Sequence, residues 1–454
     1  MRPDGHAVVL GAGVAGLLSA AALSEVYGQV TVIERDPAAG PATARRGVPQ
    51  GRHAHAVMPR GAQALEELLP GITRRLADAG AVVAEPLRDY RFRVGGHPLR
   101  QAPIGALVLQ ASRPFLEYHL RAGVRECGRV ELVAGCDAAG LLMDDTGRVI
   151  GVRVIRRDPG SAEELIDADL VVDATGRAGR TAPWLADLGY PRPREERFAV
   201  DVAYASRYLR FPSWAGGIEK AVGTGPVPGR PRGLMMLAVE GDRRLLTLAG
   251  FTAAHHPPVE PAAFLSFAES VAPPDVFAAI RAAEPLTDIT TYRYPAYLRR
   301  HYRRLRRFPA GLVSTGDALC SFSPVYAQGM TVAALQALAL RDSVAADPRN
   351  PARSFFAAAD RIISVAWRMG VSADLALPEV AGPRPVTTRL LNRYMQRVFA
   401  ASATDDVVSR QLMRVTGMLD GPVRLFRPAV LRRALRADPG AAAPVRPGDA
   451  VRPL

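Results

Sequence analysis

The hexapeptide Gly11-Ala12-Gly13-Val14-Ala15-Gly16 sits between an apolar run ending at Leu10 and a second one from Leu17 to Leu23. That spacing predicts strand, tight turn and helix. Gly11 permits the turn, Gly13 lets the backbone approach a pyrophosphate, and Gly16 lets helix and strand pack closely. The new helix offers free N–H groups and a positive dipole end to the phosphates. The strand that follows ends at Glu34, whose carboxylate suits ribose hydroxyls and repels a 2′-phosphate, so NADP is disfavoured as resident nucleotide. Choosing between NAD and FAD needs a second motif. It comes from STGDALCSFSPVYAQGM, where Asp317 can accept hydrogen bonds from a ribityl chain. A helix starting near Gln328 can then turn its amides toward the flavin N1/C2 end, stabilising the charge of the reduced ring. Taken alone, that motif also reads as a plain Gly-Asp turn between strand and helix.

Further candidates lie in the loop RRGVPQGRHAH (residues 45–55) and beyond. In an extended loop His53 and His55 share one face, as catalytic acid or base or as loop anchors, while Ala54 points away. Tyr326, beside Pro324, is a third candidate of the same kind. The run RRHYRRLRR (299–307) reads as a solvated connecting face or as a docking site for an NAD(P)H phosphate or a reductase. RLFRPAVLRRALR (424–436) reads as a core-facing helix with an arginine rim.

The elements that must position these residues are those of an α/β protein. A 454-residue chain exceeds the usual single core, and 48% hydrophobic with 22% charged residues excludes a disordered chain. The net charge of +14 is almost wholly arginine, with Lys220 the only lysine. The arginines are scattered rather than gathered on a recognisable module, so no nucleic-acid partner is expected. Cys127, Cys136 and Cys320 show no metal-ligand spacing and fit a reducing cytoplasm. Glycines interrupt the N-terminal apolar stretch, and no later run reaches ~18 apolar residues, so neither a signal peptide nor a membrane span is expected.

The expected divisions are residues 1–85, 106–190 and 301–345 for a discontinuous, Rossmann-like FAD-binding domain. Residues 86–105 and 191–300 form an inserted, mainly antiparallel β substrate domain, and 346–454 a helical C-terminal region with a frayed tail.

GAGVAG with Glu34, DATGR (173–177) and GDA (316–318), in this order, resemble the FAD-dependent monooxygenases of the para-hydroxybenzoate hydroxylase fold. RRGVPQGRHAH, SRPFLEYHLR from Ser112, GRAGRTAPWLADLGY from Gly176 and FSPVYAQGMTVAALQA from Phe322 are similar to the actinobacterial polyether epoxidases of the monensin and lasalocid type. The resemblance spans about His6 to about Leu435. It implies that Gly11, Gly13, Gly16 and Glu34, with Arg35 beside it, hold ADP. Arg45 and Arg113 would approach the pyrophosphate or ribityl chain, and Asp317 would hold the ribityl. Gly47 and Val48 would flank the isoalloxazine, with Pro324 and Gly329 at its other edge. Asp173 is a further cofactor-binding candidate, although DATGR stands where phenol hydroxylases carry an Asp-Gly motif, which puts an NADPH-gating role for Asp173 in doubt.

The implied reaction is transfer of one oxygen from a flavin C4a-hydroperoxide to alkenes of an apolar polyketide or terpenoid in secondary metabolism. Alkene attack needs no base, and the substrate-sheet segments are rich in Leu, Met, Val and Ala. NAD(P)H is the expected transient reductant, directly or through a flavin reductase; a carrier protein is a further candidate partner. A phenol-type hydroxylase, a prenyl-chain reductase and a non-catalytic flavin-binding partner are the alternatives. A halogenase is disfavoured because Trp184, Trp214 and Trp367 form no WxWxIP-like segment and Lys220 lies outside the cofactor motifs.

Overall fold

The computed structural model describes residues 2–37, 40, 43–45 and 47–440, and places the first motif on a five-stranded parallel sheet. The strand Arg2–Leu10 is central; Tyr27–Glu34 and Leu170–Asp173 flank it, and Val130–Ala134 and Leu312–Ser314 form the edges. Ala7, Val8, Val9 and Leu10 are almost wholly buried, as strands covered on both faces must be. Leu10 pairs with Ile33 on one side and Asp173 on the other, and Asp173 pairs with Ser314. The carboxyl ends of the strands therefore share one edge. Chain order reverses across the first strand, and ligands of open α/β sheets bind at such a point.

The helices Val14–Ser24 and Gly329–Ala346 pack on this sheet together. A latch joins the second motif to them: the Gln336 side-chain oxygen accepts from Gly316 N (2.7 Å) and Thr315 Oγ1 (2.9 Å). A small three-stranded antiparallel sheet, spanning residues 136–167, was not anticipated within the second nucleotide-domain segment.

The second large sheet is mainly antiparallel and is built on Glu195–Arg210, Arg232–Val239, Arg243–Phe251 and Thr290–Arg300, with Tyr90–Val94 and His97–Pro98 added at one edge. Alternation along the strands gives it two unlike faces. Ala205, Leu209, Leu234, Met236, Leu246 and Leu248 pack against Phe264, Phe267, Val276 and Ile280 of two unforeseen helices, Pro261–Glu269 and Pro274–Ala282. Tyr204, Ser206, Thr247 and Tyr292 belong to the opposite face, in register with one another. The expected wall of Leu, Met, Val and Ala is thus corrected in part: those six side chains turn to the two helices, while Val200, Val202, Leu237, Val239 and Leu245 lie in other buried clusters.

Four further helices, Ala352–Asp374, Val386–Ser402, Asp406–Thr416 and Pro428–Arg436, complete the chain; residues from 441 onward, most of the expected frayed tail, lie outside the described ones. Among the described residues no helix is long and apolar enough to cross a membrane, and no His/Cys/Asp/Glu group could hold a metal ion. The basic run at 299–307 is divided: Arg303, Arg304, Arg306 and Arg307 are exposed, as a solvated face requires, whereas Arg299 and Arg300 are buried. Arg300 donates to Glu195, Ala318 O and the carbonyls of Arg177 and Ala178, while Arg299 reaches Asp360 and Ser364. These two arginines bracket three parts of the fold.

Candidate functional site

The glycine turn divides into two positions the chain itself requires and one it does not. Gly11 has φ +99°, and a Cβ there would stand 2.6 Å from Ala174 O; a Cβ on Gly16 would stand 1.8 Å from Gly11 O. A Cβ on Gly13 would meet nothing nearer than Arg45 Nη2, 3.9 Å away. That space lies at the N-terminus of Val14–Ser24, which carries no side-chain cap, so its first amides face an open cradle of the kind a pyrophosphate fills. Glu34 accepts from Ala12 N (2.7 Å), Asp36 N (2.9 Å) and Arg45 Nη1 (2.8 Å). A carboxylate has about four acceptor positions, so capacity remains for a ribose hydroxyl. The residues fit an ADP moiety.

Arg45 is buried over this turn, with Nη2 on Ala12 O (3.2 Å) and on Glu117 (2.7 Å). Glu117 also accepts from Arg113 Nε at 2.7 Å. Burial pushes the Glu117 carboxyl up, yet the two guanidinium groups outweigh it and hold its pKa below the usual value. Glu117, absent from the expected set, therefore fixes both arginines of the groove. Arg35 is half exposed and stands 4.0 Å from Asp36, its one ion-pair partner among the described residues. Gly47 donates to Asp36 at 2.8 Å, which puts it at the acidic end of the groove and does not agree with a place beside the isoalloxazine. Val48 is buried and packs near Gly51, which contacts Arg113.

Asp317 is half-buried, and among the described residues its carboxylate has no hydrogen-bond partner. Burial raises its pKa, opposed by Arg113 and then Arg177. An acceptor held open between two cations suits a polyol such as ribityl. Pro324 and Gly329 are exposed, with nothing within 4 Å of a Cβ on Gly329, so the start of Gly329–Ala346 also faces open space. Arg177 ties the turn after the parallel sheet to the large antiparallel one, donating to Ser321 Oγ (2.8 Å) and Ala296 O (2.6 Å) with its guanidinium 4.9 Å from the Tyr294 ring centroid.

Asp173 is corrected as a cofactor residue. Its oxygens accept from Thr175 N and Oγ1, Arg180 N, and Thr181 N and Oγ1, so the carboxylate is used up in fixing the turn and the helix Thr181–Asp187.

The two histidines meet different neighbours. His53 Nδ1 lies 2.7 Å from Ser206 Oγ, which lies 2.7 Å from Thr247 Oγ1, and Thr247 in turn accepts from Ala54 N (2.9 Å). The His53 ring stands 5.9 Å from Tyr204 and 5.8 Å from Tyr292, and its Nε2 is buried without a partner among the described residues. Burial, with help from Arg52, lowers its pKa to about 4. His55 Nδ1 must donate to His53 O (2.8 Å), and burial followed by the Arg113 charge lowers its pKa to about 3. Both rings are neutral at working pH. Tyr204 Oη approaches Ser323 and the Val325 backbone without closing a hydrogen bond.

Tyr326 is corrected as a catalytic acid or base. Its hydroxyl donates to Asp374 Oδ1 at 2.6 Å, while Tyr297 donates to Oδ2 at 2.6 Å. Asp374 is fully buried at the end of Ala352–Asp374, and burial raises its pKa to about 7. The pair of phenols makes it an anchor for the loop that follows Asp317.

A folded-state value above the ordinary one means that the folded chain keeps a proton the unfolded chain has lost between about pH 4 and about pH 7. Stability falls as pH rises through that window, by about 1.4 kcal/mol for each pH step of one. Asp374→Asn should therefore show a smaller drop in thermal midpoint between about pH 5 and about pH 8 than the parent. Equal slopes would contradict the assignment.

No protein-family model matches the chain. Protein Rv3254 of Mycobacterium tuberculosis is 35% identical over 455 residues, covering 96% of this chain and 94% of that one. Among solved structures the flavin-dependent brominase Bmp2 is similar with a TM-score of 0.68 and 16% identity, over 95% of this chain and 98% of its own. The p-nitrophenol 4-monooxygenase PnpA of Pseudomonas putida DLL-E4 is similar with a TM-score of 0.66 at 16% identity, over 93% and 100%. PqsL of Pseudomonas aeruginosa, a probable FAD-dependent monooxygenase, gives 0.61 at 16%, over 82% and 96%. These likenesses show the fold of the flavin-dependent monooxygenases across the chain; closeness to polyether epoxidases is not among them.

Proposed function

The chain belongs to the family of protein Rv3254 of Mycobacterium tuberculosis, and from that premise we propose that it is an FAD-dependent monooxygenase placing one oxygen atom of O2 on an alkene of an unsaturated polyketide. The observation that carries the reading is a chain of polar contacts in which the open Gly13 cradle, Glu34 and Arg45 are linked through Glu117 to Arg113, whose charge reaches Asp317, a carboxylate without a hydrogen-bond partner among the described residues. When bound, FAD supplies the electron transfer to O2 and the electrophilic oxygen. NAD(P)H, directly or through a flavin reductase, would supply the electrons.

The chain's own part is to seat the substrate and exclude water. His53 and His55 are held neutral well below the range of an effective general base, and Asp374 has both oxygens engaged by phenols. Among the described residues neither histidine is poised to take a phenolic proton near neutral pH, and Asp374, although its pKa stands at about 7, is fully buried behind two phenols, which supports oxygen transfer to an alkene, where no proton is removed. His53 Nε2 and Tyr204 Oη are polar atoms on the same wall without a hydrogen-bond partner among the described residues. Two such points favour a substrate bearing carbonyl or hydroxyl groups, hence a polyketide over a bare terpenoid hydrocarbon.

Hydroxylation of a phenol-type ring is the second reading, favoured by the aromatic faces of Tyr204 and Tyr292. Halogenation, raised by the likeness to a brominase, finds no free lysine: Lys220 Nζ donates to Val83 O (3.0 Å) and Asp89 (3.2 Å).

His53→Gln separates the two readings. For alkene oxygenation the loss should be of positioning, about 1 kcal/mol or roughly fivefold in product formed per O2 consumed. Complete loss of oxygenation with NAD(P)H oxidation intact would reveal an obligatory proton transfer and favour the hydroxylase.

A further inference from the structure

The C-terminal helices carry more apolar surface than their core uses. Val398, Ala401, Val408, Leu412, Leu425, Val430 and Ala434 turn inward into one buried cluster. On the outside, Val386 (58% exposed), Leu390 (61%), Val423 (73%), Phe426 (45%) and Leu435 (55%) are bare.

They are adjacent. Val386, Leu390 and Tyr394 recur every four residues on Val386–Ser402 and so form one stripe. Tyr394 stacks on Phe426 (centroids 4.8 Å, 21°) and donates to Leu425 O at 2.6 Å. Val423 and Phe426 eclipse on the 3-10 turn Pro422–Phe426. Arg397, one turn beyond Tyr394, holds the carbonyl of Leu435 at 2.9 Å, tying the last helix alongside.

The charge around this stripe has one sign. Residues 386–436 contain ten arginines and three aspartates. Each aspartate is already paired, Asp405 with Arg433, Asp406 with Arg410 and Asp420 with Arg414. Arg389, Arg393, Arg427, Arg432 and Arg436 are exposed with no ion pair among the described residues.

We propose that this face docks on an anionic lipid bilayer, its aliphatic residues entering the headgroup region and its free arginines meeting lipid phosphates. Charge complementarity decides the occupant. A second copy using the same face would oppose arginine to arginine across a two-fold axis, and a nucleic acid has no use for five bare apolar side chains. A bilayer of acidic lipids satisfies both at once. The proposal is independent of the reaction assigned above.

Its test is sedimentation of the full-length, FAD-loaded protein with phosphatidylcholine vesicles, with or without about 30% phosphatidylglycerol. Binding is expected to the anionic vesicles alone. A combined Leu390→Ser, Val423→Ser, Leu435→Ser variant should bind at least about tenfold more weakly with its flavin content and thermal midpoint unchanged, which separates insertion from adsorption of a basic protein. Should that variant be destabilised, Arg432→Glu with Arg436→Glu must show the same loss. Binding that ignores lipid charge, absence of binding, or binding unaffected by these changes would overturn the proposal. So would a concentration-dependent dimer in solution that the serine variant abolishes, since the face would then belong to a second copy.

Discussion

Gly13→Val should give a folded protein that no longer retains FAD. At Gly13 φ is −75°, a value open to any residue, and a Cβ has 3.9 Å of clearance to its nearest neighbour. The cost to the chain is then only that of a poorer helix N-cap, about 1 kcal/mol. The same methyl groups would fill the cradle a pyrophosphate needs, blocking the charge-assisted contacts of the helix amides. Loss of at least about 100-fold in FAD affinity is expected, with the thermal midpoint of the flavin-free protein little changed. Gly16→Ala is the control with the opposite signature, because its Cβ would lie 1.8 Å from Gly11 O and folding itself should fail. A Gly13→Val protein with parental flavin content would show that nothing lies against that turn.

Asp317→Ala should weaken FAD binding by about 1–3 kcal/mol, roughly five- to 150-fold, the scale of leaving buried hydroxyls unpaired. The carboxylate has no hydrogen-bond partner among the described residues and is raised in pKa by its burial, so its removal costs the chain no contact. The effect should appear in a fluorescence titration of flavin-free protein with FAD while the thermal midpoint without FAD stays level. Parental affinity in a folded variant would displace the ribityl site from this turn.

The glycine turn, the strand ending at Glu34 and the turn that carries Asp317 were legible in the sequence because backbone constraint acts locally: glycines at fixed spacing and a polar residue at a strand end need no knowledge of what packs elsewhere. The helix after Ser112 was legible for the same reason, Ser112 accepting from Phe115 N as its cap. Glu117 was within reach too, since Arg113 and Glu117 stand one helical turn apart. The lining of the substrate side was not. Alternation says that a strand has two faces but not which one meets the cofactor, and the helices Pro261–Glu269 and Pro274–Ala282 claimed the apolar one. Tyr326 looked like chemistry because its partner, Asp374, lies 48 residues away in sequence. Asp173 looked like a ligand because a turn that consumes all its acceptors leaves no mark on the local pattern.

The most direct test of the proposed oxygen transfer is turnover under ¹⁸O₂. Protein loaded with FAD is supplied with NAD(P)H, with and without a flavin reductase, and a panel of alkene-bearing polyketides, and the products are weighed by mass spectrometry. One labelled oxygen atom per reacting double bond, with none taken from water, is the predicted result. Products that gain only hydrogen, that carry oxygen from water, or that fail to form from any alkene while a phenol is hydroxylated would contradict it.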